Sequence, residues 1–364
     1  MRWLSERSDL TTLWHLIALG VVSVIAVASA MHARNPAFWS GAPGRQLAYL
    51  VLGVVVFLVA QRVDYHDWAE LWVVFYVGGV LLLAVLPFVA RPIGGARSWL
   101  EIGPLRLQPS EPMKAVVALA VAGFLAHRRG GLSLTRLIQL GGLVGLPVLL
   151  IAAQPDLGTA ITFAPLFLGA TWLAGIRPRV LVSLALMAAL VAPIAWFVVL
   201  KDYQKERILT VFDPERDPSG TGYQVIQSRI AVGSGGMTGS GLFRGTQSRL
   251  DFLPARETDF IMAVIAEETG LIGVLVVLGV YLSLLLRAVQ TATLAQDRLG
   301  AYLAVGVASL WTGQIMINLG MVTGILPTIG VPLPVVSSGG SAVVATFFAF
   351  GLVASVRGGR FVNA

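Results

Sequence analysis

Residues 254–268 read PARETDFIMAVIAEE, a polar turn running into an apolar stretch that carries two more carboxylates well inside it. Asp259, Ala263 and Glu267 follow an i, i+4, i+8 spacing, which on a helix sets Asp259 and Glu267 near one face, roughly 12 Å apart along the axis. Thr258 or Asp259 stands where such a helix starts, and a short side-chain oxygen at that point is what an N-cap requires. A cap accounts for one residue and leaves Glu267 and Glu268 unexplained. In a membrane span, those carboxylates cost several kcal/mol unless they face a cavity or a partner.

The surrounding chain decides for the membrane. Of its 364 residues 56% are hydrophobic and 12% charged, with a mean hydropathy of +0.79, against roughly 25% charged residues in soluble domains. Segments able to cross a hydrocarbon core of about 30 Å recur at 12–30, 47–62, 69–89, 110–126, 137–152, 157–175, 180–200, 259–286, 300–323 and 339–356. The fold expected is therefore all-α: a polytopic integral membrane protein of about ten spans in a single domain. Residues 324–338, rich in Pro and Gly, are expected to re-enter rather than cross.

The first apolar segment follows Arg2, Glu6, Arg7 and Asp9 and lacks a small-residue cleavage site, so it reads as a retained helix. Arginines in short loops set the orientation. Arg2, Arg7, Arg62, Arg128, Arg129, Arg136, Arg177, Arg179, Arg287, Arg298, Arg357 and Arg360 fall on one side, against Arg34, Arg45, Arg91, Arg97 and Arg106 on the other. Both termini are then expected in the cytoplasm. The long hydrophilic segment 201–258, between spans seven and eight, is expected outside it.

The net charge of +7 follows from this bias and suits attraction to anionic membrane lipids, so nucleic acid is not expected as a partner. The chain has no cysteine and four scattered histidines, which removes disulfides, thiolate metal sites and histidine ligand motifs. Any metal must be held by oxygen. Gly233–Gly241, GSGGMTGSG, lacks the Gly-Lys-Ser/Thr ending and preceding strand of a phosphate loop. It reads instead as a tightly turning backbone able to approach other groups closely.

Three further stretches carry polar residues at span ends. In Gln108–Lys114, QPSEPMK, Ser110 can cap the fourth span while Glu111 and Lys114 sit one turn apart as an ion pair. In Gln154–Thr159, QPDLGT, a tight turn precedes a helix for which Asp156 is the expected cap. Asn318–Ser341, NLGMVTGILPTIGVPLPVVSSGGS, holds three prolines and cannot be one regular helix. Irregular backbone at membrane depth implies a cavity lined by protein or water. The residues alone support a polar cavity holding Asp259, Glu267 or Glu268, Lys114 and arginine side chains, and leave enzyme and transporter both open.

Together these stretches resemble the SEDS family (shape, elongation, division and sporulation) of peptidoglycan glycosyltransferases. The resemblance covers nearly the whole chain. It runs through Gly95–Leu100, Gln108–Glu111, Lys114, Gln154–Thr159, Arg207-Ile208, Asp213-Pro214, Gly222–Gln224, Gln227-Ser228, Gly233–Gly236, Gly245–Ser248, Leu253-Pro254, Thr258–Phe260, Glu267-Glu268 and Pro327–Ser341. Ile317–Val322 with Thr328–Pro332 is closer to the elongation branch (RodA) than to the division branch (FtsW). Two positions depart from the family pattern: Ala255 stands where an acidic residue is usual, and Ser338 where tyrosine is.

The resemblance implies polymerisation of lipid II, a disaccharide-pentapeptide on undecaprenyl pyrophosphate, during cell-wall elongation at the outer face of the bacterial cytoplasmic membrane. It makes Asp259 the general base or the ligand of a divalent cation, Mg²⁺ or Mn²⁺, and makes Lys114 and Glu111 further catalytic candidates. Arg97, Arg207, Asp251, Arg256, Ser337 and Ser341 become substrate-binding candidates, although Arg256 and Glu257 also read as a plain surface pair. It further implies a class B penicillin-binding protein and other cell-shape proteins as partners. A lipid II flippase or proton-coupled lipid transporter is the alternative, since broken helices and buried carboxylates suit that class as well.

Overall fold

The computed structural model describes residues 9–32, 41–90, 97–102, 105–126, 132–218, 220–250 and 252–359. Its helices are α1 (Leu10–Met31), α2 (Ala42–Arg62), α3 (Tyr65–Glu70), α4 (Trp72–Val89), α5 (Ser110–Ala126), α6 (Leu134–Ala153), α7 (Leu157–Ile161) and α8 (Phe163–Leu173). After them come α9 (Pro178–Ile194), α10 (Asp202–Phe212), α11 (Thr221–Gly235), α12 (Thr246–Arg249), α13 (Ile261–Leu294), α14 (Arg298–Val322) and α15 (Gly340–Gly359). A π-helical turn over Ala195–Val199 extends α9. Ahead of α5, the strands β1 (Leu100–Ile102) and β2 (Leu105–Leu107) pair antiparallel, with Glu101 opposite Arg106.

Among the described residues, eight helices are long and apolar enough to cross a membrane: α1, α2, α4, α6, α9 with its π turn, α13, α14 and α15. The remaining two expected segments are α5 and the α7–α8 pair, both shorter. The helix starts follow ordinary chemistry. Asp9 accepts from Thr12 N at 3.2 Å and Asp297 from Gly300 N at 2.8 Å, satisfying donors that the first turn leaves orphaned. Pro43 occupies the first turn of α2, where no helical N–H is lost.

α5 lies at the centre, buried from Ser110 to Leu125 and packed on α14, α15 and α4. Around it α2 packs on α15 and α13 on α14. Both ends of the bundle carry polar contacts. At one, Arg287 bonds Asp9, His66 bridges Asp64 and Asp297, and Arg357 reaches Thr291. The other gathers the β-hairpin, the turn before α7, residues 254–260 and the irregular chain between α14 and α15.

Several expectations change here. Ser110 is the first helical residue of α5 rather than its cap, and its buried Oγ makes no hydrogen bond among the described residues. Neither Thr258 nor Asp259 caps α13: Phe260 holds that place with no side-chain bond, because residues 254–260 form consecutive turns. The i, i+8 ladder from Asp259 to Glu267 is therefore not helical at its start.

α13 is broken at Gly270, whose φ of 65° and ψ of −166° fall outside the helix. A break exposes backbone groups inside a span, and these need partners. The glycine-rich stretch after α11 supplies them. Ser240 N bonds Glu267 O at 2.9 Å, Gly241 N bonds Glu268 O at 3.0 Å, and Leu271 N bonds Gly236 O at 2.9 Å. The segment 201–258 thus carries α10, α11 and α12, and its middle is welded to a membrane helix.

Candidate functional site

Asp259 sits partly buried in the turn before α13, at the end of the bundle where four pieces of chain meet. Its Oδ2 lies 3.5 Å from where a Cβ on Gly330 would stand, and Gly330 has a φ of 73° that other residues rarely adopt. The Thr258 hydroxyl bonds the carboxylate. The Asp259 pKa is pushed up to about 6, chiefly by desolvation and also by the charges of Glu257 and Asp156, against the opposing pull of Arg207 and Thr258. A carboxylate so placed is ionised near neutral pH yet basic enough to take a proton.

Two stretches far apart in sequence form the walls. Gly158, just inside α7, lies so close to the irregular segment that a Cβ there would come within 2.2 Å of Ile329 O. Asp156 caps α7 as expected, accepting from Thr159 N at 3.1 Å, and also accepts from Gln108 Nε2 at 2.9 Å. Gln108 N in turn donates to Ser341 Oγ at 2.9 Å. Ser337 Oγ accepts from Leu333 N at 2.7 Å and donates to Thr258 O at 2.5 Å, and Ser338 N donates to Glu257 O at 2.8 Å. Ser337 and Ser341, expected as substrate contacts, are in this structure staples between backbone segments.

Lys114 and Glu111 form the buried pair that their spacing suggested. Nζ lies 2.7 Å from Glu111 Oε1, with side chains 1% and 4% exposed. A second Nζ proton goes to Gln314 Oε1 at 2.9 Å, and Gln314 Nε2 donates to Pro332 O at 2.8 Å. The ammonium is therefore tied to the same irregular segment that faces Asp259.

The remaining candidates divide. Arg207 is brought to the site: its charge acts on Asp259, while its guanidinium lies 5.7 Å from the Tyr203 ring centroid. Arg97 is exposed and donates to Pro87 O at 3.0 Å, tying its loop to the end of α4. Asp251 lies outside the described residues. Arg256 and Glu257 are not a surface pair. Arg256 is 0% exposed and donates through Nε to Ala30 O at 2.6 Å, so it anchors the turn to the end of α1 rather than offering its charge at a surface.

Glu267 and Glu268 do not share a cavity with Lys114 as expected. Glu267 Oε1 accepts from Thr246 Oγ1 at 3.0 Å and Gln247 N at 2.9 Å; Glu268 accepts from Ser29 and from the backbone of Phe243 and Gly245. Both carboxylates clamp residues 243–247 onto α13, because consecutive residues on the helix point in different directions and each meets its own set of donors.

Among the described residues, no three His, Asp or Glu side chains are grouped to hold a metal ion. The residues fit a divalent cation only in a shared form, with Asp259 as protein ligand and substrate oxygens completing the shell, the usual way Mg²⁺ is held beside phosphates.

Residues 6–360 match the family described as cell cycle protein, FtsW, RodA and SpoVE. The chain belongs to this family. It is 41% identical to the peptidoglycan glycosyltransferase MrdB of Escherichia coli K12, over 98% of this chain and 95% of that one. It is 38% identical to the probable peptidoglycan glycosyltransferase FtsW of Geobacter metallireducens, over 96% and 95%. Its fold superposes with a TM-score of 0.83 and 32% identity on a chain from a structure titled "Structural coordination of polymerization and crosslinking by a peptidoglycan synthase complex", over 98% and 99%. On the rod shape determining protein RodA of Thermus thermophilus the TM-score is 0.73 at 27% identity, over 99% of both chains.

The FtsW/RodA/SpoVE assignment agrees with the motifs that first suggested it, and RodA-like relatives stand among the matches. Three amides that build the site were given no role by those motifs, although Asn318 lies within one of them. Gln46, on α2, donates to Ser23, Val335 O and Ser337 O. Gln314 and Asn318, one turn apart on α14, bond Pro332, Val331 and Asp259 backbone carbonyls. The available signal was two carboxamides at i, i+4 in an otherwise apolar helix, which need partners where water is scarce.

Proposed function

We propose that the chain is a peptidoglycan glycosyltransferase that polymerises lipid II into glycan strands during cell-wall elongation. The observation that carries this reading is the partly buried Asp259, enclosed by the Gln154–Thr159 turn, Arg207 and the irregular segment, in a chain whose relatives are named for that activity. Forming a glycosidic bond requires the acceptor hydroxyl to lose its proton as its oxygen attacks the anomeric carbon, and the bond to pyrophosphate breaks. Asp259 takes that proton. Its pKa of about 6 keeps it ionised at neutral pH without making it a feeble base.

Negative charge grows on the pyrophosphate as it leaves, and Arg207 is the guanidinium beside Asp259 that meets it. Lys114, with two of its three protons held by Glu111 and Gln314, contributes a fixed positive charge beneath the site. In the alternative role Asp259 would hold a Mg²⁺ or Mn²⁺, which would supply charge neutralisation for the leaving group. The polyprenyl tail stays in lipid while the headgroup reacts.

The arginines at the bundle ends support one sidedness. Arg62, Arg287, Arg298 and Arg357 belong with the end opposite Asp259, and Lys/Arg-rich ends face the cytoplasm. The termini are then cytoplasmic and the Asp259 end opens to the outer face of the cytoplasmic membrane, where lipid-linked donors carry their own free energy. A penicillin-binding protein of class B, crosslinking the strands, is the expected partner, in keeping with a relative solved in a complex described for polymerisation and crosslinking. Other cell-shape proteins would complete the assembly.

The test is polymerisation of labelled lipid II by the purified chain with that partner, with Mg²⁺ or Mn²⁺, read as glycan length on a gel. Wild type should give polymer and folded Asp259→Asn none. Normal polymer from the mutant would remove Asp259 from the chemistry. Failure of both, with lipid II movement in liposomes, would favour a flippase.

A further inference from the structure

Two buried amides on α14 take no part in the chemistry described above, yet one bonds the backbone of Asp259 and the other the ammonium of Lys114. Gln314 is 1% and Asn318 0% exposed, and a carboxamide at such depth is costly unless its polar atoms are partnered. Asn318 Nδ2 donates to Asp259 O at 2.9 Å and to Val331 O at 2.8 Å. Two carbonyl acceptors fix which end of the amide faces them, since an oxygen there would be repelled. Gln314 donates to Pro332 O at 2.8 Å and accepts from Lys114 Nζ at 2.9 Å. Neighbouring amides thus grip consecutive residues of the irregular segment, and each extends its other contact to a candidate catalytic residue, Asn318 to the backbone of Asp259 and Gln314 to the Lys114 ammonium.

The backbone at Asp259 makes the first contact consequential. Ala263 N, which would bond Asp259 O in a continuous helix, bonds Phe260 O instead at 2.9 Å. Asp259 O therefore takes its bond from Asn318 rather than from the first turn of α13. Releasing it frees the peptide that carries the carboxylate, directly opposite Gly330.

We propose that Asn318 and Gln314 are a pair of positioning residues for glycosyl transfer, Asn318 fixing the peptide of Asp259 and Gln314 orienting the Lys114 ammonium, with residues 331–332 as their shared strut. The inference rests on the reading of this site as a glycosyltransferase. Misplacing a reacting group by about 1 Å costs on the order of 100-fold in rate, and neither amide needs to touch substrate for that effect. The two contacts also differ in kind, one holding a backbone carbonyl and the other an ammonium.

The full-length protein, wild type, Asn318→Ala and Gln314→Ala, should be assayed on labelled lipid II for kcat and KM separately, with thermal unfolding as a check on folding. Both variants are expected to lose about 10- to 100-fold in kcat with KM little changed. If Asn318→Ala fails to fold, Asn318→Ser, too short to span both carbonyls, replaces it. Unchanged kcat in either variant, or a loss that falls on KM rather than on kcat, would overturn the proposal. An inactive wild type would instead overturn the glycosyltransferase reading on which it rests.

Discussion

Replacing Asp259 by asparagine should abolish polymerisation and at the same time make the protein harder to unfold. Desolvation raises the Asp259 pKa from 3.8 to about 6, a shift of about 2 units, and at 1.36 kcal/mol per unit the folded state loses up to about 3 kcal/mol by keeping this carboxylate ionised. The sign follows from proton binding. Between pH 4 and 6 the folded state holds the Asp259 proton more tightly than the unfolded chain, so stability falls as pH rises through that window. Below it both states are protonated and the cost vanishes; above it the cost is constant. The substituted carboxamide carries no charge at any pH, so the stability gap between mutant and wild type should open from pH 4 to pH 6 and stay level to pH 8. Thermal unfolding in detergent across that range, monitored by tryptophan fluorescence, measures the gap. A mutant no more stable than wild type at pH 7.5, or a gain equally large at pH 4, would refute the idea that this carboxylate is held against its solvation preference.

Other outcomes follow from the same structure. Lys114→Met should destabilise by about 3–5 kcal/mol because it strands Glu111 in a buried site, whereas Lys114→Met with Glu111→Leu should recover much of the stability and none of the activity, as unfolding and lipid II assays would show. Gly158→Ala should abolish activity or folding, since a Cβ 2.2 Å from Ile329 O must push the irregular segment away; wild-type turnover would sink the assigned contact. Ala255 adopts a φ of 50°, a region that costs most residues roughly 1–2 kcal/mol and suits Asn or Asp better, so Ala255→Asn should raise the melting temperature. At the opposite end, partial burial lowers the His66 pKa, but bonds to Asp64 and Asp297 outweigh it and leave it raised. That bridge stabilises below the ordinary histidine pKa and is lost as pH climbs through the raised value, so the stability difference between wild type and His66→Gln should shrink from pH 6 to pH 8.5.

The sequence by itself determined the spans, the ion pair at Glu111 and Lys114, the Asp156 cap and the irregular nature of residues 324–338. Each is a local property: apolar length against bilayer thickness, i, i+3 neighbours on one helix, a capping side chain three residues from its donor, and prolines that no regular helix accommodates. Tertiary structure decided what each polar residue does. Glu267 and Glu268 read as cavity groups until Gly270 proved to break α13 and bring residues 236–247 against them. Arg256 read as a surface charge, yet the turn that carries it folds under α1. Gln314 and Asn318 read as nothing in particular, because their partners lie from 13 to 200 residues away. In a low-dielectric interior every buried donor must find an acceptor, and which one it finds depends on how the helices pack, a fact that no local spacing encodes.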